Sequence, residues 1–427
     1  MNMSADRHLP WRLVWSLSAT QIVSWGSAYY AFGVMLSPMQ KEFGWSQSVL
    51  TGAYSMALGV AATVLIPVGA WIDRRGGRIV MTSGSLLSVL LFALLGVNHS
   101  LAGFYLIWFA MGFVMASTLY EAAFAVVEIG FGDAYRKGIT VLTFAGGLAS
   151  TVFIPVTQWM VEAFSWRGAA FGLGLANLLI CVPLHAMLPE RKARAALPHA
   201  AVDPAGGNGS DGAIAEAPAR GAGKPGAADA IARVLRSLRF WTLVVAYTAY
   251  ALVVGIFGVH LIPLLGAKGF STGEVVLIAS LVGPMQVAGR LAQFGLGDAL
   301  DVRRLSRIVF AMLPVAMAVL LLAPAQSLFI AFFVVSYGVG IGIQTILRGT
   351  AMPELFGRDN YAALSNLLSA PGVAARAVAP FLASLIVVGA GGYVALEWTM
   401  LIVATLALMA IWVATMRRRS DRPGLDQ

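Results

Sequence analysis

The chain has 427 residues, of which 59% are hydrophobic and only 11% charged. A soluble domain carries about 25% charged residues, so this composition excludes an ordinary soluble enzyme or binding module and points into the membrane. The single cysteine, Cys181, excludes an internal disulfide and a cysteine-based metal cluster, and the net charge of +9 has to be explained by where the charges fall.

Twelve apolar runs are long enough to cross a hydrocarbon core about 30 Å thick. They lie near Trp11–Ser37, Val49–Trp71, Arg78–Val97, Leu101–Val127, Gly138–Glu162, Gly168–Leu188, Phe240–Leu264, Gly273–Gly297, Leu305–Ala323, Ser327–Gly349, Tyr361–Val388 and Tyr393–Met416. With the N-terminus placed in the cytoplasm, 24 of the 29 Lys and Arg residues fall on the cytoplasmic side. Lys41, Arg167 and Lys268 fall outside, and Arg290 and Arg376 lie within spans. This asymmetry puts both ends in the cytoplasm. It explains the positive charge as a topology signal and leaves no role for nucleic acid. The first 20 residues lack the cleavage pattern of a signal peptide, so the first span is expected to remain. The expected fold is an all-α integral membrane protein with twelve transmembrane helices in two six-helix bundles. The halves are 1–188 and 239–427, joined by a flexible cytoplasmic linker, 189–238, rich in Ala, Gly and Pro.

The first span holds Gln21, Tyr29 and Tyr30 beside Ser24 and Trp25. These groups fit a substrate pathway, or an aromatic interface belt with helix–helix hydrogen bonds. Ser37-Pro38 predicts the end of that helix. The second span closes on GAWIDRRGGR, Gly69 to Arg78. This stretch resembles the loop motif between helices two and three of the major facilitator superfamily. The resemblance implies a gating role for Gly69, Asp73, Arg74, Gly76 and Arg78, with a degraded counterpart around Gly295 and Asp298 in the second half.

Three further stretches look like bacterial monocarboxylate and oxalate:formate transporters of that superfamily. They are Tyr30-Ala31-Phe32-Gly33-Val34 with Glu42-Phe43-Gly44-Trp45-Ser46, Tyr135-Arg136-Lys137-Gly138 with Ala145-Gly146-Gly147, and Phe164-Ser165-Trp166-Arg167-Gly168. The fifth span lacks the dense Gly-Pro-Gly signature of drug:proton antiporters, which counts against multidrug export. In the fourth span, Glu121 is the acid placed to take up a proton; a salt bridge or a wet surface site is the alternative. His260, near the outer end of the seventh span, reads more simply as an interface residue than as a proton shuttle.

The eighth span carries Gln286 and Arg290 one turn apart, on one face. A helix rises about 1.5 Å per residue, so Arg290 sits roughly 12 Å in from Asp298, deep enough for a charge to need protein or water around it. Its guanidinium can grip a carboxylate with two parallel hydrogen bonds; the alternative is a structural bond to a neighbouring helix. The monocarboxylate resemblance implies an aspartate where Gln286 stands, which leaves proton coupling through this pair in doubt. In the eleventh span, Ser369-Ala370-Pro371-Gly372 matches an oxalate:formate motif with Pro371 at the lysine position. Arg376 follows five residues later, roughly 500° around the helix, and need not face the same way. Asn366 completes the set of polar candidates.

The function expected is secondary active transport of a small organic anion, a carboxylate in class, by alternating access, with protons or a counter-anion as the driving species. Arg290 and Arg376 supply charge, and Gln21, Tyr29, Tyr30, Gln286 and Asn366 neutral hydrogen bonds. Export of a toxic compound or metalloid is the alternative, and a transporter-like receptor a distant one. No nucleotide loop, metal-ligand cluster or nucleophile–base pair is present, so an enzyme is not expected, nor a cofactor. The expected partners are the substrate anion and the lipid bilayer, with the chain a monomer in a bacterial inner membrane.

Overall fold

The computed structural model describes residues 11–131, 135–189, 233–296, 301–322, 329–356 and 361–416. These residues form helices and no strand. Helix α1 combines Trp11–Trp25, a turn of π-helix at Gly26–Tyr30 and Ala31–Phe43. Then come α2 (Gln47–Arg75), α3 (Gly77–Val97) and α4, which is Leu101–Thr118 and Tyr120–Phe131 interrupted at Leu119. Helix α5 joins Tyr135–Gly147 to the first part of Ala149–Ala176. Ser165, with φ 64° and ψ 172°, folds that stretch back on itself. Helix α6 leaves this bend and continues through Asn177–Cys181 and Val182–Ala186. The second half supplies α7 (Leu238–Ala267), α8 (Thr272–Leu296), α9 (Val302–Leu322), α10 (Phe329–Phe356), α11 (Tyr361–Ala390) and α12 (Val394–Thr415).

Ten described segments are long and apolar enough to cross a membrane. One of them, Lys137–Ala186, is the α5–α6 pair bent at Ser165. Restoring that bend and adding the interrupted α1 gives the twelve rods. Helix α1 does not stop at Ser37-Pro38. It runs through Pro38 and ends at Gly44, whose φ of 67° is the left-handed conformation that terminates a helix. Pro38 removes only its own N–H, a loss that membrane helices tolerate.

The buried apolar side chains sort by half. One cluster is drawn from α7 to α12, with Val34 and Ile154 reaching in. Two others are drawn from α1 to α6, with Val259 reaching in, and a small fourth joins α9 to α10. The halves meet along α1–α7, α2–α11 and α5–α8. Between apolar helices in lipid, close approach depends on small residues. A Cβ at Gly283 of α8 would fall 2.6 Å from the Gly147 carbonyl oxygen of α5. One end of the bundle is sealed by bonds across the halves. The Thr51 and Ser384 hydroxyls lie 2.5 Å apart, and Phe381 N–H donates to Ser55 Oγ at 3.2 Å. The rods alternate in direction, so Trp11 and Met416 lie at the opposite end, and residues on that side, Thr140, Thr345 and Arg348, line a central cavity.

At the sealed end each half ties its first helix to its last. Glu42 at the end of α1 accepts from Trp166 Nε1 (2.5 Å) and Arg167 Nε (2.7 Å). Arg167 also donates to the Gly96 carbonyl and stacks over Trp166. In the second half Lys268, after α7, pairs with Glu397 of α12 at 2.9 Å. The clamp is the same with its polarity reversed. Burial pushes the Glu42 carboxyl up, but the hydrogen bonds and charge of Arg167, with Trp166 and His99, hold it below the usual carboxylate range. Arg167→Ala should therefore cost about 1–2 kcal/mol, after discount for the exposure of the pair. The readout is a drop of a few degrees in the unfolding midpoint of the purified protein. The swapped pair Glu42→Lys with Arg167→Glu should recover part of it, because the second half already uses that polarity.

Candidate functional site

The central cavity has a volume of about 580 Å³, with an adjoining lobe of about 220 Å³. Three local departures from regular helix shape its wall, and each exposes polar groups at cavity depth. The π-turn of α1 places consecutive residues Tyr29 and Tyr30 on the cavity with Trp25. Such turns concentrate at functional sites. Helix α4 breaks at Leu119, whose backbone is extended (φ −83°, ψ −169°). The break frees the Thr118 carbonyl, and the Gln21 amide donates to it at 2.6 Å. Beyond it Tyr120 and Glu121 face the cavity. Helix α5 breaks at Leu148, near Thr143, whose carbonyl accepts from Arg290 Nη1 and, at 3.4 Å, from the Tyr120 hydroxyl.

Three guanidiniums and one carboxylate line the cavity among the described residues: Arg290, Arg348, Arg376 and Glu121. Arg290 is buried (5% exposed), with Gln286 one turn away and equally enclosed (9%). Tyr30 lies within electrostatic range of both Arg290 and Arg376. Several buried polar atoms in the wall lack a partner. Trp25 Nε1, Arg290 Nε and Arg376 Nε are among them, and all three can only donate. The wall therefore carries positive charge and surplus donors, the complement of an oxyanion. Rings cover much of the rest. Trp25 packs against Tyr29 (centroids 5.1 Å) and Tyr120 (5.0 Å), and Phe257 against Tyr337 (4.8 Å).

Of the candidates read from the sequence, Arg290, Arg376, Gln286, Tyr29, Tyr30 and Glu121 converge on this cavity. Gln21 does not line it; it is fully buried and braces the α4 break. Arg290 also makes the structural bond that was its alternative, and that bond joins the two halves. Glu121 is exposed to the cavity rather than enclosed. In the gating stretch, Gly76 ends α2 with φ 81°, open to glycine and strained for other residues, and Arg74 is exposed. Gly69 has open space around it. Asp298 lies outside the described residues, as do the side chains of Asp73 and Asn366. Trp25, grouped with the first-span candidates, lines the cavity too; Tyr120 and Tyr337 were not singled out, and Arg348 reads from the sequence as a snorkelling residue near the inner surface rather than as a cavity group. The signal for Tyr337 and Arg348 was helical spacing: Tyr337, Gln344 and Arg348 are 7 and 4 residues apart, one face of α10.

A sequence profile described as Major Facilitator Superfamily matches residues 17–360. The chain belongs to the major facilitator superfamily. Among solved structures, a bacterial homolog of the human lysosomal transporter Spinster, inward-facing and unoccupied, matches at TM-score 0.67 and 12% identity, over 95% of this chain and 96% of that one. The nucleoside transporter NupG, as a D323A mutant, matches at TM-score 0.68 and 13% identity, over 95% and 99%. At these identities the likeness is one of fold. No curated protein matches the sequence.

The cavity's charge is testable without knowing its ligand. In a Thr345→Cys variant lacking Cys181, an anionic thiol reagent should outpace a cationic one by about tenfold, relative to their ratio on a small thiol in solution. A unit charge about 8 Å away at an effective dielectric near 40 contributes about 1 kcal/mol with opposite sign for the two reagents, and salt removes part of it. Replacing Arg290 and Arg376 with Gln should bring the ratio back toward the solution value. An unchanged ratio would contradict the electropositive cavity.

Proposed function

We propose that this member of the superfamily is a secondary active transporter of a small organic anion, with a carboxylate the best-fitting class. The observation that carries the reading is that Arg290 and Arg376, each with a buried Nε that lacks a partner, line a cavity in a bundle of membrane helices. A charge in such a bundle is expensive and marks a pathway. An arginine that presents a fork of donors matches a carboxylate better than a lysine does. The order of short motifs resembling bacterial monocarboxylate and oxalate:formate transporters supports the same class.

The two halves rock about the central site. The Lys and Arg distribution places both termini in the cytoplasm, so the cavity described here opens inward and the sealed end faces outward. The membrane is then the plasma membrane, a bacterial inner membrane, and the working unit a monomer of two bundles, 1–188 and 239–427, joined by the linker. In this state the bond from Arg290 to the Thr143 carbonyl spans the two halves. A carboxylate that competes for the guanidinium would loosen it, and so couple occupancy to movement of α5 against α8. Protons or a counter-anion drive the cycle, and Glu121 is the acid within the cavity available to protons. The volume of about 580 Å³ and the aromatic wall also suit a bulkier organic anion, which keeps export of a toxic compound as the second reading.

Arg290→Ala should reduce transport at least a hundredfold, since losing a charged hydrogen-bond partner costs about 1.5–3 kcal/mol and the charge itself is lost as well. The variant should still reach the membrane in normal amount. Arg290→Lys should retain part of the binding but not the two-pronged geometry. Full transport by Arg290→Ala would overturn the assignment.

A further inference from the structure

His260 of α7 lies outside the cavity just described, in the seal at the closed end, and it is fully buried. Four helices meet around its ring. Nε2 is 2.9 Å from the Pro380 carbonyl oxygen of α11 and 3.3 Å from Ser384 Oγ. Nδ1 is 3.4 Å from Gln47 Nε2 of α2 and 3.4 Å from the Tyr393 hydroxyl at the start of α12. Gln47 donates to that same hydroxyl at 2.7 Å. Ser384 in turn meets Thr51 of α2. Gln47 and Thr51 belong to the first half, and His260, Ser384 and Tyr393 to the second. The imidazole is thus the hub of a polar latch between the halves.

The chemistry of the partners fixes the ring's state. A backbone carbonyl can only accept, so Nε2 carries the hydrogen. Nδ1 is then the bare acceptor of a neutral ring, and both of its neighbours, the Gln47 amide and the Tyr393 hydroxyl, have hydrogens to give. A second proton on Nδ1 would meet an amide donor and place a full charge in the dry seal. The groups that face the ring from α2 and α11 are uncharged, and from α12 the phenol of Tyr393. Glu397, one turn beyond Tyr393, is paired with Lys268, and Arg376, one turn before Pro380 on α11, lines the central cavity. A buried charge without a counter-charge is strongly disfavoured, whereas an opened latch admits water to it.

We propose that His260 is a proton-binding site, and that the neutral ring latches this end of the transporter shut while proton binding releases it. The seal and the proton then exclude one another, which by linkage makes opening of this end dependent on the pH of the side it faces. The assignment is independent of what the central cavity carries. A wet imidazole titrates near its ordinary value of about 6.5. If the shut latch admits no proton, the open-to-shut ratio rises about tenfold between about pH 8 and about pH 5.5.

The test uses full-length protein in lipid nanodiscs, with Cys181→Ser and spin labels at Leu101→Cys on the first half and Thr272→Cys on the second. Both native residues are exposed, at the sealed end. Dipolar distance measurements should show the long-distance, open population growing on acidification by about the factor above. In His260→Gln the distribution should no longer respond to pH. In Tyr393→Phe, which keeps the imidazole and weakens the latch, the open fraction should be larger at every pH and the response should persist. A flat response in the parent would overturn the proposal. So would a response that survives His260→Gln, or one that disappears in Tyr393→Phe and so identifies the phenol as the titrating group.

Discussion

A guanidinium held within apolar helices has to be given acceptors, and the organisation of this protein follows from how Arg290 receives them. The nearest acceptor is a main-chain carbonyl, that of Thr143, in the opposite half of the molecule. A regular helix uses its carbonyls internally. The bond to Arg290 is made by an in-helix carbonyl five residues before the break of α5 at Leu148, and the Tyr120 hydroxyl shares the same oxygen. The cavity wall and the contact between the halves in this way share Arg290, Thr143 and Tyr120.

The other departures from regular helix obey the same rule. Irregular backbone at membrane depth is tolerated where it is buried in protein or lines a cavity. The break of α4 at Leu119 has its freed carbonyl satisfied by Gln21, and the π-turn of α1 turns Tyr29 and Tyr30 toward the same space. Away from the cavity the structure spends its polar groups differently. They make clamps within each half, Glu42 to Arg167 and Lys268 to Glu397, and a latch between halves around His260. The clamps tie the first helix of each bundle to its last, whereas the latch, the Phe381–Ser55 and Thr151–Ser280 bonds and the Arg290 bond join one bundle to the other.

The spans and their division into halves were legible in the sequence because length and apolarity decide them, and the superfamily profile bears out the resemblance read from Gly69–Arg78. Arg290 and Arg376 were legible because a charge in a span is rare. Whether they shared a site was not. It depends on how α8 and α11 are turned, which the chain fixes through packing rather than local pattern. Gln21 looked like a ligand group and instead braces a helix break, since the sequence carries no sign that α4 breaks at Leu119. The stretch Ser37-Pro38 looked like a helix end, but Gly44 supplied the stronger stop. The motifs around Glu42 and Trp166 were recognisable separately, and only the fold shows that they are two sides of one clamp. His260 read as an isolated interface residue because its partners are separated from it by more than a hundred positions in the chain.

The central claim, that this superfamily member carries an organic anion through the Arg290 cavity, is tested most directly by flux into proteoliposomes. The panel is labelled lactate, pyruvate, oxalate and formate, with a labelled nucleoside as the neutral comparison. Each is measured with and without an imposed pH gradient, and with counter-substrate inside. Saturable entry of at least one carboxylate, driven by the gradient or by internal anion and absent for the nucleoside, is the predicted result. Entry of the nucleoside with no flux of any carboxylate, in protein shown to be folded, would contradict the account.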